Sequence, residues 1–176
     1  MKNILFLFLV ALCGCTACSK SDSSNSSGNG NDDVAINGCG GSWDQSKGQI
    51  TFKVDGVPVS TYNHTCSWQE LVAGSPIINF TSSMHKDGRT ININVQDWKT
   101  GVRALGPDIK AEAIGGYFPH YCDYQMATFQ SGTVTITRFD TTARILEGTF
   151  SGVAEKDGKN YQITEGRLIN CKLERF

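Results

Sequence analysis

The segment 115–124, Gly-Gly-Tyr-Phe-Pro-His-Tyr-Cys-Asp-Tyr, is where aromatic side chains and loop-forming residues coincide. Tyrosine combines an apolar face with a polar hydroxyl, which suits stacking on a sugar ring or contact with another protein. Trp98, at the end of a predicted strand, is the tryptophan best placed to join such a surface. We therefore predict a ligand-binding surface formed by Tyr117, Phe118, Tyr121, Tyr124 and Trp98. The alternative is that Cys122 anchors the loop and the rings cover the core.

The sequence carries no decisive catalytic pattern. It lacks the nucleophile elbow, the His-Glu-x-x-His helix, the phosphate loop and the dinucleotide fingerprint. In His120-Tyr-Cys122-Asp123 a thiol lies near a base, but adjacent residues on an extended chain point apart. We assign no catalytic residue and lean towards a non-enzymatic protein. A hydrolase with carboxylates assembled by the fold is the alternative, and its candidates are Asp97, Glu112, Asp123 and Glu147.

No metal or cofactor site is expected from the residue spacing. The histidines, His64, His85 and His120, lie on separate predicted elements, and the domain contains neither a Cys-x-x-Cys pair nor a Cys/His zinc spacing. The chain has 16 basic and 17 acidic residues, a formal net charge of −1. This balance gives no indication of nucleic-acid binding.

The first 22 residues form a secretory signal of the lipoprotein type. Lys2 precedes the apolar run 4–12, and small residues lie just before a cysteine. Two cysteines are candidates for lipidation, Cys15 and Cys18. We favour Cys18, because cleavage before it leaves an even number of cysteines in an oxidising compartment. These four are the disulfide candidates, and sequence does not choose among their three possible pairings: Cys39, Cys66, Cys122 and Cys171.

The expected organisation has three parts. Residues 1–17 are the signal peptide, and residues 18–35 comprise the lipidated cysteine and a tether rich in Ser, Asn and Gly. Residues 36–176 form a single antiparallel β domain. The membrane is thus the first partner, reached through the N-terminal lipid.

Asp-Gly pairs mark the hairpins of this domain, because both residues tolerate positive φ. Asp55-Gly56 joins 50–54 to 57–61, with Pro58 indicating an edge strand. Asp87-Gly88 joins 77–81 to 90–98, in which Ile91, Ile93 and Val95 alternate with Asn92, Asn94 and Gln96. The next prediction is a meander of three strands: 132–139, 144–152 and a return from Tyr161 to Leu173. A turn at 140–143 follows the first strand, a turn at Asp157-Gly158 precedes the third, and Gly166 is a candidate bulge.

The fold class is therefore all-β, and an antiparallel β-sandwich is the first choice. The reason is the long irregular stretch predicted from Lys99 to Ala127, since a closed sheet favours shorter connections. The alternative is an up-and-down, lipocalin-like β-barrel. The best helix candidate, 67–73, is either one short helix or an extended arm.

Two parts of the chain resemble small β-rich lipoproteins of Bacteroidetes whose domain has no assigned function. They are the segment Ile-Thr-Phe-Lys-Val-Asp-Gly-Val within 49–60, and the repeated Gly-Thr and Glu-Gly strand pattern within 131–173. The resemblance implies a cell-envelope lipoprotein of the outer membrane, facing the periplasm or the surface, and it carries no catalytic residues. Ser19 after Cys18 is compatible with that sorting. Asp140-Thr141-Thr142 also looks like a glycosylation site of that phylum, at Thr141.

The function expected from sequence is a membrane-anchored envelope lipoprotein whose β domain binds a glycan or a protein partner, or has a structural role. The alternatives are the hydrolase described above and an exported immunity or inhibitor protein.

Overall fold

A computed structural model describes residues 48–61, 64–70, 73–82, 88–120 and 125–175. All of them belong to one compact unit spanning residues 33–176. Ten strands follow one another: β1 Gln49–Val54, β2 Val57–Thr61, β3 His64–Glu70, β4 Pro76–Ser82, β5 Thr90–Val95, β6 Gly101–Gly106, β7 Ala113–Phe118, β8 Ala127–Asp140, β9 Ile145–Lys156 and β10 Lys159–Arg175. The all-β class is confirmed. Among the described residues, no helix is long and apolar enough to cross a bilayer.

The predicted hairpins are present. Asp55 and Gly56 have φ values of 50° and 81°, and Asp157 and Gly158 have 52° and 78°. Positive φ at both central residues matches the right-handed twist of the flanking strands, which is why Asp-Gly occurs there. β2 is a terminal strand of the sheet, as Pro58 indicates. β4 pairs with β5 in the expected antiparallel register, although Asp87 lies outside the described residues.

All ten strands belong to one hydrogen-bonded sheet that closes into a ring. Its order is β2-β1-β10-β3-β4-β5-β7-β6-β8-β9, and β9 pairs back onto β10. The long strand β10 makes this closure possible, because its other edge pairs first with β1 and then with β3. Opposite walls of the ring face each other across one core, an arrangement compatible with both the sandwich and the barrel-like expectation.

One local expectation is wrong, and one open alternative is decided. The stretch from Lys99 to Ala127 was expected to be irregular, yet it contains β6 and β7. β7 contains Gly115 and Gly116, which carry low strand propensity, and cross-strand pairing overrides that propensity. Residues 67–73 were predicted to form either a short helix or an extended arm. As far as Glu70 they are extended and belong to β3.

Aromatic rings fill the interior of the ring of strands. The Phe150 ring of β9 lies 6.0 Å from that of Phe52 in β1 and 5.8 Å from that of Phe80 in β4. Tyr117 of β7 lies 6.4 Å from Phe52 and 5.2 Å from Tyr161 of β10. Because side chains from opposite walls meet here, the interior is a packed core. A candidate binding site must therefore be sought on the outer faces and at the ends of the strands.

Candidate functional site

The predicted aromatic surface is divided by the fold. Tyr117 is 2% exposed and packs in the core, so the expectation of a stacking surface at this residue is wrong. Strand alternation explains the difference, since Tyr117 and Ile91 are opposite each other on the inward face of β7 and β5. Phe118, the next residue, is half-buried on the outer face. Tyr121 and Tyr124 lie outside the described residues.

Four polar side chains on the outer face of β4 and β5 form a closed cycle of hydrogen bonds. Asn79 Nδ2 donates to Asn94 Oδ1 at 2.8 Å, and Asn94 Nδ2 donates to Asn92 Oδ1 at 3.1 Å. Asn92 Nδ2 donates to Thr81 Oγ1 at 2.5 Å, and Thr81 Oγ1 donates to Asn79 Oδ1 at 3.4 Å. We call these four residues the amide ring. Every member donates to the next, and hydrogen bonds in such chains polarise one another.

Register and alternation together create the amide ring. Asn79 is opposite Asn94 and Thr81 is opposite Asn92 in the β4–β5 ladder. Between them, Ile78, Phe80 and Ile93 point inward and are fully buried. A one-residue slip would exchange the two faces, so the apolar residues fix the position of the polar ones.

The amide ring keeps part of its hydrogen-bonding capacity. An asparagine amide has two N–H donors and an oxygen that accepts two hydrogen bonds. Within the ring each of Asn79, Asn92 and Asn94 uses one donor and one acceptor position. All three are half-buried, with one side turned to solvent. The surface thus presents a second N–H and a second acceptor position at each of three adjacent amides.

The predicted aromatic residues Phe118 and Trp98 are placed differently. Phe118 is opposite Thr90, two residues before Asn92, on the outer face that carries the amide ring. Trp98 is half-buried and packs against the hydrophobic core. Its Nε1 donates to the carbonyl oxygen of Ile77 at 3.2 Å, which fixes the indole beside the strand end. Phe118 is therefore the predicted aromatic residue that lies beside the amide ring.

A polar cleft continues the outer face of β5 beyond Asn94. It has a volume of about 310 Å³ and is lined by Gln96, Asp97, Arg103, Lys110, Ala111 and Glu112. Gln96 Nε2 donates to the Ile109 carbonyl oxygen at 3.0 Å, which ties β5 to the loop before β7. The cleft carries two cationic and two anionic side chains.

Three charged groups of the cleft, those of Asp97, Arg103 and Glu112, are engaged with one another or with the backbone. Arg103 Nη2 lies 2.6 Å from Asp97 Oδ2, and its Nε donates to the same oxygen at 2.9 Å. Glu112 Oε2 accepts a hydrogen bond from the backbone N–H of Ala104 at 2.8 Å. Ala104 lies in β6, whose pairing with β7 begins only at the next residue, Leu105. The fold therefore brings together two of the predicted hydrolase carboxylates, Asp97 and Glu112. Glu147 lies on β9, and Asp123 is outside the described residues.

In the described part of the chain, no three His, Cys, Asp or Glu side chains are grouped to hold a metal ion. Two disulfide candidates, Cys66 and Cys171, are buried and carry thiol groups. Cys39 and Cys122 lie outside the described residues. The lipidation candidates Cys18 and Cys15 do so as well.

The glycosylation candidate Thr141 is exposed in the turn between β8 and β9. Asp140 organises this turn, because its Oδ1 accepts the N–H groups of Ala143 at 2.7 Å and Thr142 at 3.1 Å. Its Oδ2 accepts a hydrogen bond from Arg138 Nη2 at 3.0 Å. Exposure makes the Thr141 hydroxyl accessible, and its modification stays a prediction.

A pH dependence follows from the contacts of Asp140. The Ala143 N–H, followed by Arg138, holds the pKa of this carboxyl below its ordinary value of 3.8. A carboxyl with a lowered folded-state pKa stabilises the protein above its unfolded-state pKa, and this contribution is lost as pH falls through the folded-state value. We expect the urea midpoints of wild type and Asp140→Asn to differ at neutral pH and to converge below pH 3.8. A difference that is constant with pH would contradict this assignment.

Comparison with protein-family models, curated proteins and solved structures finds no match for this chain. The amide ring and the cleft thus stand on their geometry alone. Sequence alternation predicted that Asn92, Asn94 and Gln96 lie on one polar face. Thr81, Arg103 and Lys110 were missed, because their partners are set by strand register and loop closure.

Proposed function

We propose that this chain is a lipid-anchored cell-envelope protein whose β domain binds a glycan on the outer face of β4 and β5. The lipoprotein-type leader, with Cys18 as the lipidated residue, and the resemblance to envelope lipoproteins support the anchor and the location. The amide ring is the observation that supports the binding function. Its four side chains are held in place by one another before any ligand arrives.

Sugar hydroxyl groups match what the amide ring offers. Each hydroxyl both donates and accepts, and each of the three amides has one N–H and one acceptor position outside the cycle. Preorganised side chains lose little conformational freedom on binding, which favours affinity. Phe118, half-buried on the same face, supplies an apolar surface against which the C–H face of a sugar packs. A protein partner is the alternative ligand for the same surface.

The packed core also supports a surface mode of binding. Ligand cavities of lipocalin-like proteins lie inside the sheet. Here Phe52, Phe80 and Phe150 occupy that space with ring centroids 5.8–6.0 Å apart. A ligand on the outer face of β4 and β5 needs no rearrangement of these rings.

Asn94→Ala tests this proposal, because Asn94 both accepts from Asn79 and donates to Asn92. We expect the variant to lose at least about tenfold in affinity, the loss of about one or two hydrogen bonds. The probe is an array of immobilised oligosaccharides, followed by calorimetric titration with the sugar that wild type binds most tightly.

Gln130→Ala is the matched control for that experiment, since it removes an exposed amide on β8 whose bond is to the nearby Thr128 carbonyl. The control should bind as wild type does. Equal binding by Asn94→Ala and wild type would place the site elsewhere. An array on which wild type binds no sugar would overturn the glycan assignment and favour the protein partner.

The cleft favours a second candidate function, glycoside hydrolysis, because Asp97 and Glu112 line it together. A glycosidase needs one carboxyl as acid and another as base or nucleophile. Asp97 forms an ion pair with Arg103 at 2.6 Å, and Glu112 is the second carboxyl group that lines the cleft. The test is whether wild type hydrolyses a bound oligosaccharide and whether Glu112→Gln abolishes that hydrolysis. Both results together would establish glycoside hydrolysis in place of simple binding.

A further inference from the structure

The ring of strands closes at a short seam between β3 and β10. This pairing is parallel and comprises three residue pairs, Cys66 with Leu173, Ser67 with Glu174 and Trp68 with Arg175. The neighbouring β3–β4 ladder has seven pairs, and β9–β10 extends over most of both strands. The seam therefore has fewer backbone hydrogen bonds to hold it than the walls on either side.

Two cysteine side chains meet at this seam. Cys66 and Cys171 are 1% and 0% exposed, and they point into the core from adjacent strands. Cys66 is opposite Leu173 in the β3–β10 ladder, and Cys171 lies two residues before Leu173 on the same buried face of β10. Cys171 Sγ donates to the Gln49 carbonyl oxygen of β1 at 3.4 Å, so its position is fixed from a third strand.

We propose that Cys66 and Cys171 form a disulfide that covalently closes the ring of strands when the protein reaches the cell envelope. The inference rests on the exported location proposed above, since structural disulfides persist in oxidising compartments. Four domain cysteines can form two disulfides in three ways. This proposal selects the pairing that contains Cys66–Cys171, in which Cys39 and Cys122 either form the second disulfide or remain thiols.

The oxidation balances with a disulfide donor as co-reactant, either an envelope thiol oxidase in its disulfide form or glutathione disulfide. A thiolate of one cysteine attacks a donor sulfur and releases one donor thiol. The second cysteine then attacks the mixed disulfide, forms the Cys66–Cys171 bond and releases the second donor thiol. Two electrons pass to the donor, and the two thiol protons are released or taken up by the donor sulfurs.

Burial determines when this reaction takes place. Burial, and secondly the neighbouring Cys171 side chain, raises the pKa of the Cys66 thiol well above its ordinary value of 9.0. Because the thiolate is the reactive form, both cysteines react slowly once the core is packed. The disulfide therefore forms while the seam is still opening and closing during folding, and the finished core protects it from reductants.

Tryptic mapping without reduction tests the pairing in the full-length wild-type protein, purified from envelopes with N-ethylmaleimide present. Each domain cysteine falls in a different tryptic peptide: Cys39 in 21–47, Cys66 in 54–86, Cys122 in 111–138 and Cys171 in 168–172. We expect a disulfide-linked species joining 54–86 to 168–172. A species joining either of these peptides to 21–47 or 111–138 would overturn the proposal, and so would alkylation of both Cys66 and Cys171.

Failure of export gives a different result from failure of the pairing. If all four cysteines are alkylated and the protein is found in the cytosolic fraction, the location is wrong. Refolding of the reduced chain with glutathione disulfide then decides the pairing by the same map. A cytosolic protein that forms the 54–86 to 168–172 species in this refolding would retain the pairing.

Stability provides a second readout. Because the bond would close a loop of about 100 residues, we expect the Cys39→Ser/Cys122→Ser variant to have a Tm about 10 °C lower after unfolding and refolding with a reductant than in its oxidised form. In the matched Cys66→Ser/Cys171→Ser variant the same reductant should produce no shift of that size. An equal response in both variants would contradict a Cys66–Cys171 bond.

Discussion

Phe150→Ala is expected to lower the free energy of unfolding by about 3–5 kcal/mol, because it removes the ring on which two walls of the core meet. Phe150 contacts Phe52 of β1 on one side and Phe80 of β4 on the other. Truncation leaves a cavity between rigid strands, which collapse only partially. Urea unfolding followed by tryptophan fluorescence would measure the change.

Gly166 provides an independent check on this contact. It is opposite Phe150 in the β9–β10 ladder. A Cβ at this position would overlap both the Phe150 ring, with Cε2 at 2.5 Å, and the Phe150 carbonyl oxygen, so Phe150→Ala would relieve only the ring part of the clash. Gly166→Ala should therefore destabilise by overpacking, about 1–3 kcal/mol, and cost less in a Phe150→Ala background. Thr149→Ala, at the exposed neighbouring position, serves as the control for Phe150→Ala. Additive effects of the two core substitutions would show that the ring does not lie against Gly166.

Local patterns in the sequence predicted much of the fold. The Asp-Gly pairs located turns because few other residues accept positive φ at both central positions. Period-two alternation in β1 and β5 predicted their inward faces, and Ile50, Phe52 and Ile93 are buried as expected. Gly166 marks a bulge, as predicted from its place inside a strand pattern, with a register shift between Ile163 and Gly166.

The alternation of inward and outward side chains failed as a prediction in β10, where a second bulge shifts it by one residue. Strict two-residue alternation would place Ile169, Cys171 and Leu173 on one face, yet Ile169 is 38% exposed while Cys171 and Leu173 are buried. The ladder shifts between Leu168 and Cys171, and Asn170 has a φ of 49°. Asparagine adopts this conformation more readily than most residues, but its presence alone does not predict a bulge.

Long-range pairing was beyond what local patterns reveal. The β3–β10 closure joins residues about 100 positions apart, and β6 pairs in parallel with β7. The same limit applied to the candidate site. The polar row on β5 was predicted, but its cycle with Asn79 and Thr81 depends on the β4–β5 register. The core position of Tyr117 likewise depends on which strand faces β7 across the interior.

The backbone contact between β5 and β7 supports one further prediction with a large effect. Gly115→Ala is expected to destabilise the domain by about 2–4 kcal/mol, at or above the usual range for overpacking. A Cβ at Gly115 would overlap the Asn92 carbonyl oxygen and lie 2.9 Å from the Ile93 Cα. Both are backbone atoms, so no change of rotamer relieves the clash and the strands must separate. The measurement is the urea midpoint at neutral pH.

Gly158→Ala is the matched control, since it tests a glycine retained for conformation rather than for space. Gly158 has a φ of +78°, and a Cβ there would meet nothing within 4 Å. Its replacement should cost only about 1 kcal/mol, the penalty for an L-residue in the left-handed region. Because Asn92 belongs to the amide ring, displacement of β5 in Gly115→Ala should also weaken oligosaccharide binding, whereas Gly158→Ala should leave it unchanged. Equal destabilisation by the two substitutions would show that β5 and β7 are not in close backbone contact at Gly115.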